Sequence, residues 1–514
     1  MQVKITKSND FLVKPSTDPS VEIGMESMSS ETAASLAPKI PQIAISELAA
    51  TPIRTPTGIK KEAIRTSLKA STMDSVFAAV FSITTTGILL SNFLVELGAS
   101  PVIFGMICSI PMVVNLIQPV GAYLSELTTS RFRYSLLTHG IARLLWIFLI
   151  VGIIASTLGW INSHQLVVMT LAIVLLTNLL GGLGSASWLS WMATIVPRRL
   201  RGRYFGLRTS AASLTNLICV PLAGLVVSKW PEGTLQGYGV IVFLGICAGV
   251  ISIGCQHFQV DMNPVMQNAS LVTPMDSENV TESQLESVEN SSNENVVQNV
   301  INNNNFLMFL FYFSSWMLAF NLSAPYFNLY MLSNLKLDVS LVTLYGSIQA
   351  AANLLMLIVW GKLSDKIGNR IILISVGILV AIAPLLWLGV DANFFDIWVW
   401  LPLIHILLGG TSAAVDLCNN NMQLSVAPVK QQSVYFAIAA AIGGASGALG
   451  TTIGGFIAES SLFGGIPGLF AVSALFRLVA LVPLIFVQEQ RGLSLAQIIQ
   501  TLWIFRKKAM RVSS

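Results

Sequence analysis

Long apolar segments alternate with short polar segments through most of this chain. A helix needs roughly 20 apolar residues to cross about 30 Å of hydrocarbon, and twelve segments reach that length. Strands of a membrane barrel would alternate in polarity, which these segments do not. The pattern therefore predicts an all-α membrane protein with twelve spans, at 72–97, 101–124, 135–157, 164–187, 204–228, 237–258, 305–331, 340–362, 370–390, 395–418, 433–457 and 466–487.

Composition supports the same fold class. Hydrophobic residues make up 54% of the chain and charged residues 11%, whereas soluble domains carry roughly 25% charged residues. The mean hydropathy is +0.70. The five cysteines lie within or beside apolar segments without the spacing of metal ligands, so we interpret them as packing residues and predict no metal and no cofactor.

The basic residues of the short loops predict the orientation. Loops that join even-numbered to odd-numbered spans carry eleven Lys and Arg residues, and the other loops carry two. Basic residues resist translocation across the membrane. Both termini are therefore predicted to be cytoplasmic.

The chain divides into five predicted regions. These are a disordered cytoplasmic tail with a basic lead-in (1–70), a six-helix bundle (71–258), an acidic, Asn-rich cytoplasmic linker (259–304), a second six-helix bundle (305–487) and a basic amphipathic tail (488–514). The linker holds seven acidic residues and no Lys or Arg. In the last region an apolar helical face precedes basic residues, which predicts a helix in the inner membrane interface, with a regulatory binding helix as the alternative.

The two bundles are internal repeats of each other. Leu-Ser followed by an acidic residue ends span 2 at Glu126 and span 8 at Asp365, and basic residues open the next span in both copies. A Pro after span 4 and another after span 10 each precede a Tyr-Phe pair at the same distance. Six spans separate the copies, so both have the same orientation in the membrane, as in one large architecture of transporters.

The run from Gly361 to Arg370 resembles the signature G-x-L-[SA]-D-[RK]-x-G-[RK]-[RK] of the major facilitator superfamily, apart from Asn369. The copy after span 2 is degenerate, and the stretch 196–206 is similar to the loop between spans 4 and 5 in bacterial members. The resemblance covers about residues 70–487 and implies a transporter of the bacterial inner membrane. A monomer is expected because one bundle of twelve spans is sufficient for transport. Its nearest relatives would be bacterial members of unassigned specificity, cyanobacterial ones included.

This resemblance also implies a cytoplasmic gate. In the family the loop acid caps a helix of the other half when the cytoplasmic side closes, so Glu126 would face the start of span 11 near Gln432, and Asp365 the start of span 5 near Arg203. A carboxylate is favoured at a helix N-terminus. The alternative is that these charges only enforce orientation. The gating set is Gly361, Asp365, Lys366, Gly368, Arg370, Glu126 and Arg131.

Polar residues within spans mark the candidate solute path, because they are costly in hydrocarbon. The titratable candidates are Arg143, His139, Asp416, His405 and Arg477, and the uncharged ones are Asn92, Asn321, Tyr326, Asn328, Gln349 and Asn353. An internal ion pair is an equal alternative for Arg143, and a core histidine is favoured for His405. Asp74 is predicted to be interfacial and paired with a basic loop residue.

Function is predicted from what the chain contains. No Walker-type loop, catalytic cluster or nucleophile elbow occurs in the sequence, which disfavours ATP hydrolysis and enzyme activity. The sequence predicts secondary transport of a small organic solute by alternating access, with no nucleic acid as partner. Protons are the default coupling ion, with Asp416 or a histidine as the protonatable group, and facilitated uniport, which needs no such group, is the alternative to coupling. The alternative is a transporter-like receptor or lipid-handling protein without solute flux.

Overall fold

A computed structural model of the chain describes residues 61–128, 130–196, 201–261, 300, 302–428 and 432–489. The predicted tails before residue 61 and after residue 489, and the linker from 262 to 299, lie outside the described residues. The predicted domain boundaries therefore stay predictions.

Twelve helices in the described ranges are long and apolar enough to cross a membrane, and all twelve predicted spans are confirmed. The N-half comprises α1 (Glu62–Glu96), α2 (Pro101–Ser125), α3 (Arg131–Thr157), α4 (Ser163–Ser185), α5 (Tyr204–Ser228) and α6 (Thr234–His257). The C-half comprises α7 (Asn304–Asn334), α8 (Val339–Ile367), α9 (Asn369–Trp387), α10 (Asp396–Val426), α11 (Val434–Glu459) and α12 (Gly465–Phe486). Beyond these spans, α4 continues as a helix to Ile195 and α5 begins at Arg201.

Several of these helices are locally irregular. The first is broken into Lys61–Thr85 and Gly87–Glu96, where the hydroxyl and amide of Thr86 both donate to the Ser82 carbonyl. Three helices contain a π-helical turn, at Leu136–Gly140 in α3, Tyr330–Asn334 in α7 and Asp396–Trp400 in α10. Such turns change the direction of the side chains that follow them, a change that the average apolar periodicity does not predict.

An acidic residue after the last helix of each half caps the third helix of that half. The Asp261 carboxylate accepts from the Phe132 amide at 3.0 Å and from the Ser130 hydroxyl. The Glu489 carboxylate accepts from the Asn369 and Arg370 amides at 3.0 Å each. These equivalent caps are a structural counterpart of the sequence repeat. We call the end of the molecule where α3 and α9 begin the basic end. The other end of the molecule is called the opposite end.

We expect Glu489→Gln to destabilise the C-half by about 1 kcal/mol, because a neutral amide loses the charge-assisted cap of α9. Thermal unfolding of the purified protein measures this change as a lower midpoint. Glu459→Gln removes an exposed acid at the opposite end and is the matched control. Equal midpoints for the two variants would contradict the capping role.

The buried apolar residues are arranged differently at the two ends. At the opposite end one continuous cluster contains residues of both halves, with Phe93, Ile107, Tyr326 and Val342 among them. At the basic end the described residues form two separate clusters. One surrounds Trp191 in the N-half, and the other runs from Val300 to Val487 in the C-half. The described residues of the two halves therefore share one buried cluster at the opposite end and none at the basic end.

Candidate functional site

A cavity of about 370 Å³ lies mainly within the C-half, among α7, α8, α9, α10 and α12, with Met112 of α2 completing its wall. This volume suits a small organic molecule. Its aromatic and thioether side chains are Met112, Trp316, Met317, Phe320, Phe327 and Trp387, and its polar side chains are Asn321, Asn328, Gln349, His405, Thr411, Ser412, Asp416 and Arg477. Six of the sequence candidates thus line one cavity.

The three titratable side chains of this cavity differ in their access to it. Asp416 is exposed, and it makes no hydrogen bond to any residue in the described part of the chain. His405 is buried between Tyr345 and Trp387, and its Nδ1 lies 2.7 Å from the Leu401 carbonyl. Arg477 is 0% exposed. The carboxylate of Asp416 is therefore the charge most open to a solute.

Arg477 joins three helices of the C-half. Its Nη1 donates to the Val380 carbonyl at 3.0 Å, and its Nη2 donates to the Phe320 carbonyl at 3.1 Å and to the Ser323 hydroxyl at 2.9 Å. The guanidinium also lies 4.7 Å from the centre of the Phe320 ring. These contacts compensate much of the free-energy cost of burying the guanidinium charge away from solvent.

The remaining uncharged candidates lie outside the cavity lining. Tyr326 is 0% exposed, and its hydroxyl donates to the Thr451 carbonyl at 2.7 Å. Asn353 donates to the Ser412 hydroxyl at 2.9 Å, which links α8 to α10. Asn92 is buried. The structure thus brings together the amides of Asn321, Asn328 and Gln349 but not these three residues.

The N-half contains a polar network centred on a residue that the sequence misplaced. Asp74 is 2% exposed rather than interfacial. Its carboxylate accepts from the Ser252 hydroxyl and from Gln256 Nε2 at 3.1 Å, and lies 3.6 Å from Arg208 Nη2. The expected basic partner is present, but α1 begins earlier than predicted and carries Asp74 into the bundle. The sequence signal for this network is an acidic residue, Asp74, near the predicted start of a span.

Arg143 and His139 belong to the same half as this network. Arg143 Nη1 donates to the Gly249 carbonyl at 2.7 Å, so it contacts α6. His139 lies in the π-helical turn of α3, near the hydroxyls of Ser135 and Thr138, and packs against Gly184 of α4. Although one turn separates these residues in sequence, they contact different helices, and neither lines the C-half cavity.

The signature loop between α8 and α9 is held within the C-half. Gly368 ends α8 and precedes α9 with φ +89°, a conformation that L side chains rarely adopt. Asn369, the departure from the signature, donates to Glu489 at 2.7 Å and accepts from Asn421 at 2.9 Å, and Arg370 donates to the Ile485 carbonyl. Asp365 and Lys366 are exposed, whereas Arg131 is buried at the start of α3. The side chains of Glu126, Arg203 and Gln432 lie outside the described part.

At the opposite end the two halves touch through glycines and a hydrogen bond. A Cβ on Gly105 of α2 would lie 2.2 Å from the Tyr326 hydroxyl and 2.8 Å from the Thr451 carbonyl oxygen. A Cβ on Gly224 of α5 would lie 2.2 Å from the Thr343 hydroxyl of α8. Glycine at these positions lets helices approach closely where lipid gives no hydrophobic drive.

The hydrogen bond joins α5 to the start of α8. The Ser228 hydroxyl donates to the Asp338 carboxylate at 2.6 Å. Burial raises the pKa of Asp338, but hydrogen bonds from Ser228 and Ser340 outweigh it, so the pKa lies below its ordinary value. A lowered pKa means that the contact is at full strength above the ordinary pKa of about 3.9 and weakens as the pH falls through the lowered value. Near neutral pH the acceptor is ionised.

We expect Gly105→Ala to weaken closure of the opposite end, because the added methyl group meets a fully buried tyrosine and a backbone oxygen. Overpacking of this kind costs about 1–3 kcal/mol, enough to shift a two-state ratio roughly tenfold. If a cysteine is introduced into the cavity, its labelling from the opposite side should increase. Adding Tyr326→Phe to the Gly105→Ala chain should restore part of the closure. Gly181→Ala alone, with no atom near its added Cβ, should leave the labelling unchanged. An unchanged labelling ratio in Gly105→Ala would contradict the contact.

Two sequence comparisons find similar proteins, one for the C-half and one for about a third of the chain. The profile of the Major Facilitator Superfamily matches residues 305–500. A multi-drug resistance efflux pump PmrA homolog from Lactococcus lactis subsp. lactis (strain IL1403) is 28% identical over 176 residues. That match covers 33% of this chain and 41% of the relative's length.

Two solved structures share the fold over more than four fifths of this chain. A point-mutant structure of the nucleoside transporter NupG has a TM-score of 0.62 at 11% identity, covering 82% of this chain and 100% of that one. A D-xylose-proton symporter has a TM-score of 0.61 at 15% identity, covering 84% and 100%. At these identities the likeness concerns the fold.

Proposed function

We propose that this chain, whose residues 305–500 match the profile of the Major Facilitator Superfamily, is a member of that superfamily and a secondary transporter that moves a small organic solute by alternating access. The supporting observation is the unequal packing of the two ends. One apolar cluster joins the halves at the opposite end, while each half has its own cluster at the basic end. Rocking the halves about the cavity would exchange the closed end for the open one.

The basic end is assigned to the cytoplasm in this proposal. Arg131, Lys362, Lys366 and Arg370 lie there among the described residues, whereas Lys229 and Lys336 lie at the opposite end. Basic residues resist translocation, so both termini would be cytoplasmic in a bacterial inner membrane. The conformation is then inward-facing, and Asp365 is exposed, without a hydrogen bond to the described residues of the N-half. One twelve-helix bundle would suffice as a monomer.

We assign proton coupling to Asp416, the exposed carboxylate of the cavity. A carboxylate can gain or lose a proton when closure of the cavity changes the water and charges around it. Asp416→Asn would then still permit the two conformations to exchange, but a proton gradient would no longer drive solute accumulation. Counterflow without a gradient, at solute concentrations high enough to offset weaker binding in the variant, separates these two properties. Gradient-driven accumulation that persists in Asp416→Asn would exclude this role.

Side-specific labelling tests alternating access without knowledge of the solute. Gln349 lines the cavity, so Gln349→Cys, in a background without the five native cysteines, places one thiol there. A membrane-impermeant maleimide is added to right-side-out and inside-out vesicles. Because an alternating transporter exposes the cavity to each side in turn, both vesicle types should be labelled.

A second site shows whether the reagent crosses the membrane unaided. Lys366→Cys lies at the exposed basic end and should react from the cytoplasmic side only. Labelling of Gln349→Cys from the cytoplasmic side alone, over times that exhaust the reaction there, would overturn alternating access. It would favour a receptor or lipid-handling protein without solute flux.

A further inference from the structure

The charges that line the C-half cavity are not equally available to a bound molecule. Asp416 is exposed in the cavity and has no hydrogen-bond partner in the described ranges. Arg477 is 0% exposed, with three protein oxygens as acceptors and the Phe320 ring against its guanidinium. Its Nε is buried as well. A solute entering the cavity therefore meets a negative charge before any positive one.

The apolar part of the lining is suited to a flat aromatic body. Trp316, Phe320, Phe327 and Trp387 supply ring surfaces, and Met112 and Met317 supply polarisable thioethers. Indole and phenyl faces attract cations through their quadrupoles, and thioether sulfur packs well against aromatic rings. The amides of Asn328 and Gln349 have no hydrogen-bond partner among described residues, so they are available to orient a ligand.

The opposite end adds an independent electrostatic feature. Its described loops and helix ends carry more acidic than basic residues, namely Glu96, Glu232, Asp338, Asp391, Asp396 and Glu459 against Lys229 and Lys336. A mouth of negative charge raises the local concentration of cations and lowers that of anions. The path from that end to the cavity is thus biased toward positive solutes.

We propose that the substrate is an organic cation with a flat aromatic body. This inference rests on the proposed transport function and adds the substrate class to it. The cationic centre pairs with the Asp416 carboxylate, and the ring system lies among Trp316, Phe320 and Trp387. Arg143, His139 and Arg477 contact protein atoms and leave the accessible cavity charge negative.

Three tricyclic probes of similar shape test the sign of the charge. N-methylacridinium is the cation, acridine at mildly alkaline pH is neutral, and anthracenecarboxylate is the anion. Binding to the purified full-length protein is measured by probe fluorescence and by thermal shift, since a ligand of the native state raises its melting point. N-methylacridinium should bind at least about tenfold more tightly than the other two, because only it gains the ion pair.

Two variants locate the binding charge. Asp416→Asn should weaken N-methylacridinium binding by at least about tenfold and leave acridine binding unchanged. Glu62→Gln removes an exposed acid outside the cavity and should alter neither. Tighter binding of anthracenecarboxylate, or unchanged cation binding in Asp416→Asn at an unchanged melting point, would overturn the proposal.

The labelling of Gln349→Cys separates this inference from the transport proposal. If both vesicle types are labelled but the cation does not bind, the substrate class is wrong and alternating access stands. If the cation binds but labelling occurs from one side only, the cavity is a cation site and the transport proposal fails.

Discussion

A disulfide between Ser228→Cys and Asp338→Cys is expected to hold the opposite end shut and to abolish labelling of Gln349→Cys from that side. The native side chains lie 2.6 Å apart at their oxygens and belong to α5 of the N-half and α8 of the C-half. We expect an oxidant to join cysteines at these two positions, because the native side chains are in contact. Because alternating access requires these helices to separate there, the cross-link stops the exchange.

Reduction and a matched second pair complete this test. Labelling from the cytoplasmic side should persist, and a reductant should restore labelling from the opposite side. Ser130→Cys with Asp261→Cys is a serine–aspartate pair of the same type, but both residues belong to the N-half. Its cross-link should leave labelling from both sides intact. Unimpeded labelling in a fully cross-linked Ser228–Asp338 sample would show that this contact does not separate in the cycle.

Asp74→Asn is expected to be the most destabilising conservative substitution in the N-half. Among the described residues of that half Asp74 is the one buried carboxylate, and its partner Arg208 is partly exposed, at 21%. Removing one partner of a buried pair costs about 3–5 kcal/mol. Because solvent screens Arg208 in part, we expect about 2–3 kcal/mol here, measured as a lower midpoint of thermal unfolding.

A double variant separates lost charge from lost shape. Asp74→Asn keeps the size of the side chain and can still bond Ser252 and Gln256, so most of the loss should come from the cation left without an anion. Arg208→Gln in the same chain removes that cation and should recover more than half of the loss. Asp365→Asn should have no measurable effect, since Asp365 is exposed. No recovery in the double variant would mean that Asp74 stabilises the fold through hydrogen bonds alone.

The candidate site was partly accessible from the sequence. Asp416, His405, Arg477, Asn321, Asn328 and Gln349 stand out because polar residues are costly within apolar segments, and the structure places all six around one cavity. The same criterion also selected Asn92, Tyr326 and Asn353, which are buried or bonded elsewhere. Cost in hydrocarbon identifies residues that need partners, but it cannot distinguish a protein partner from a solute.

The sequence by itself determined the twelve helices, their division into two repeats and the basic end, because segment length, apolar content and loop charge are local properties that a bilayer acts on directly. Tertiary structure alone decided which end is closed, where Asp74 lies and which cavity charge is accessible. Those features depend on how helices far apart in sequence approach one another. A change of one turn in a helix start, or a π-helical turn such as Leu136–Gly140, moves a side chain from one neighbour to another.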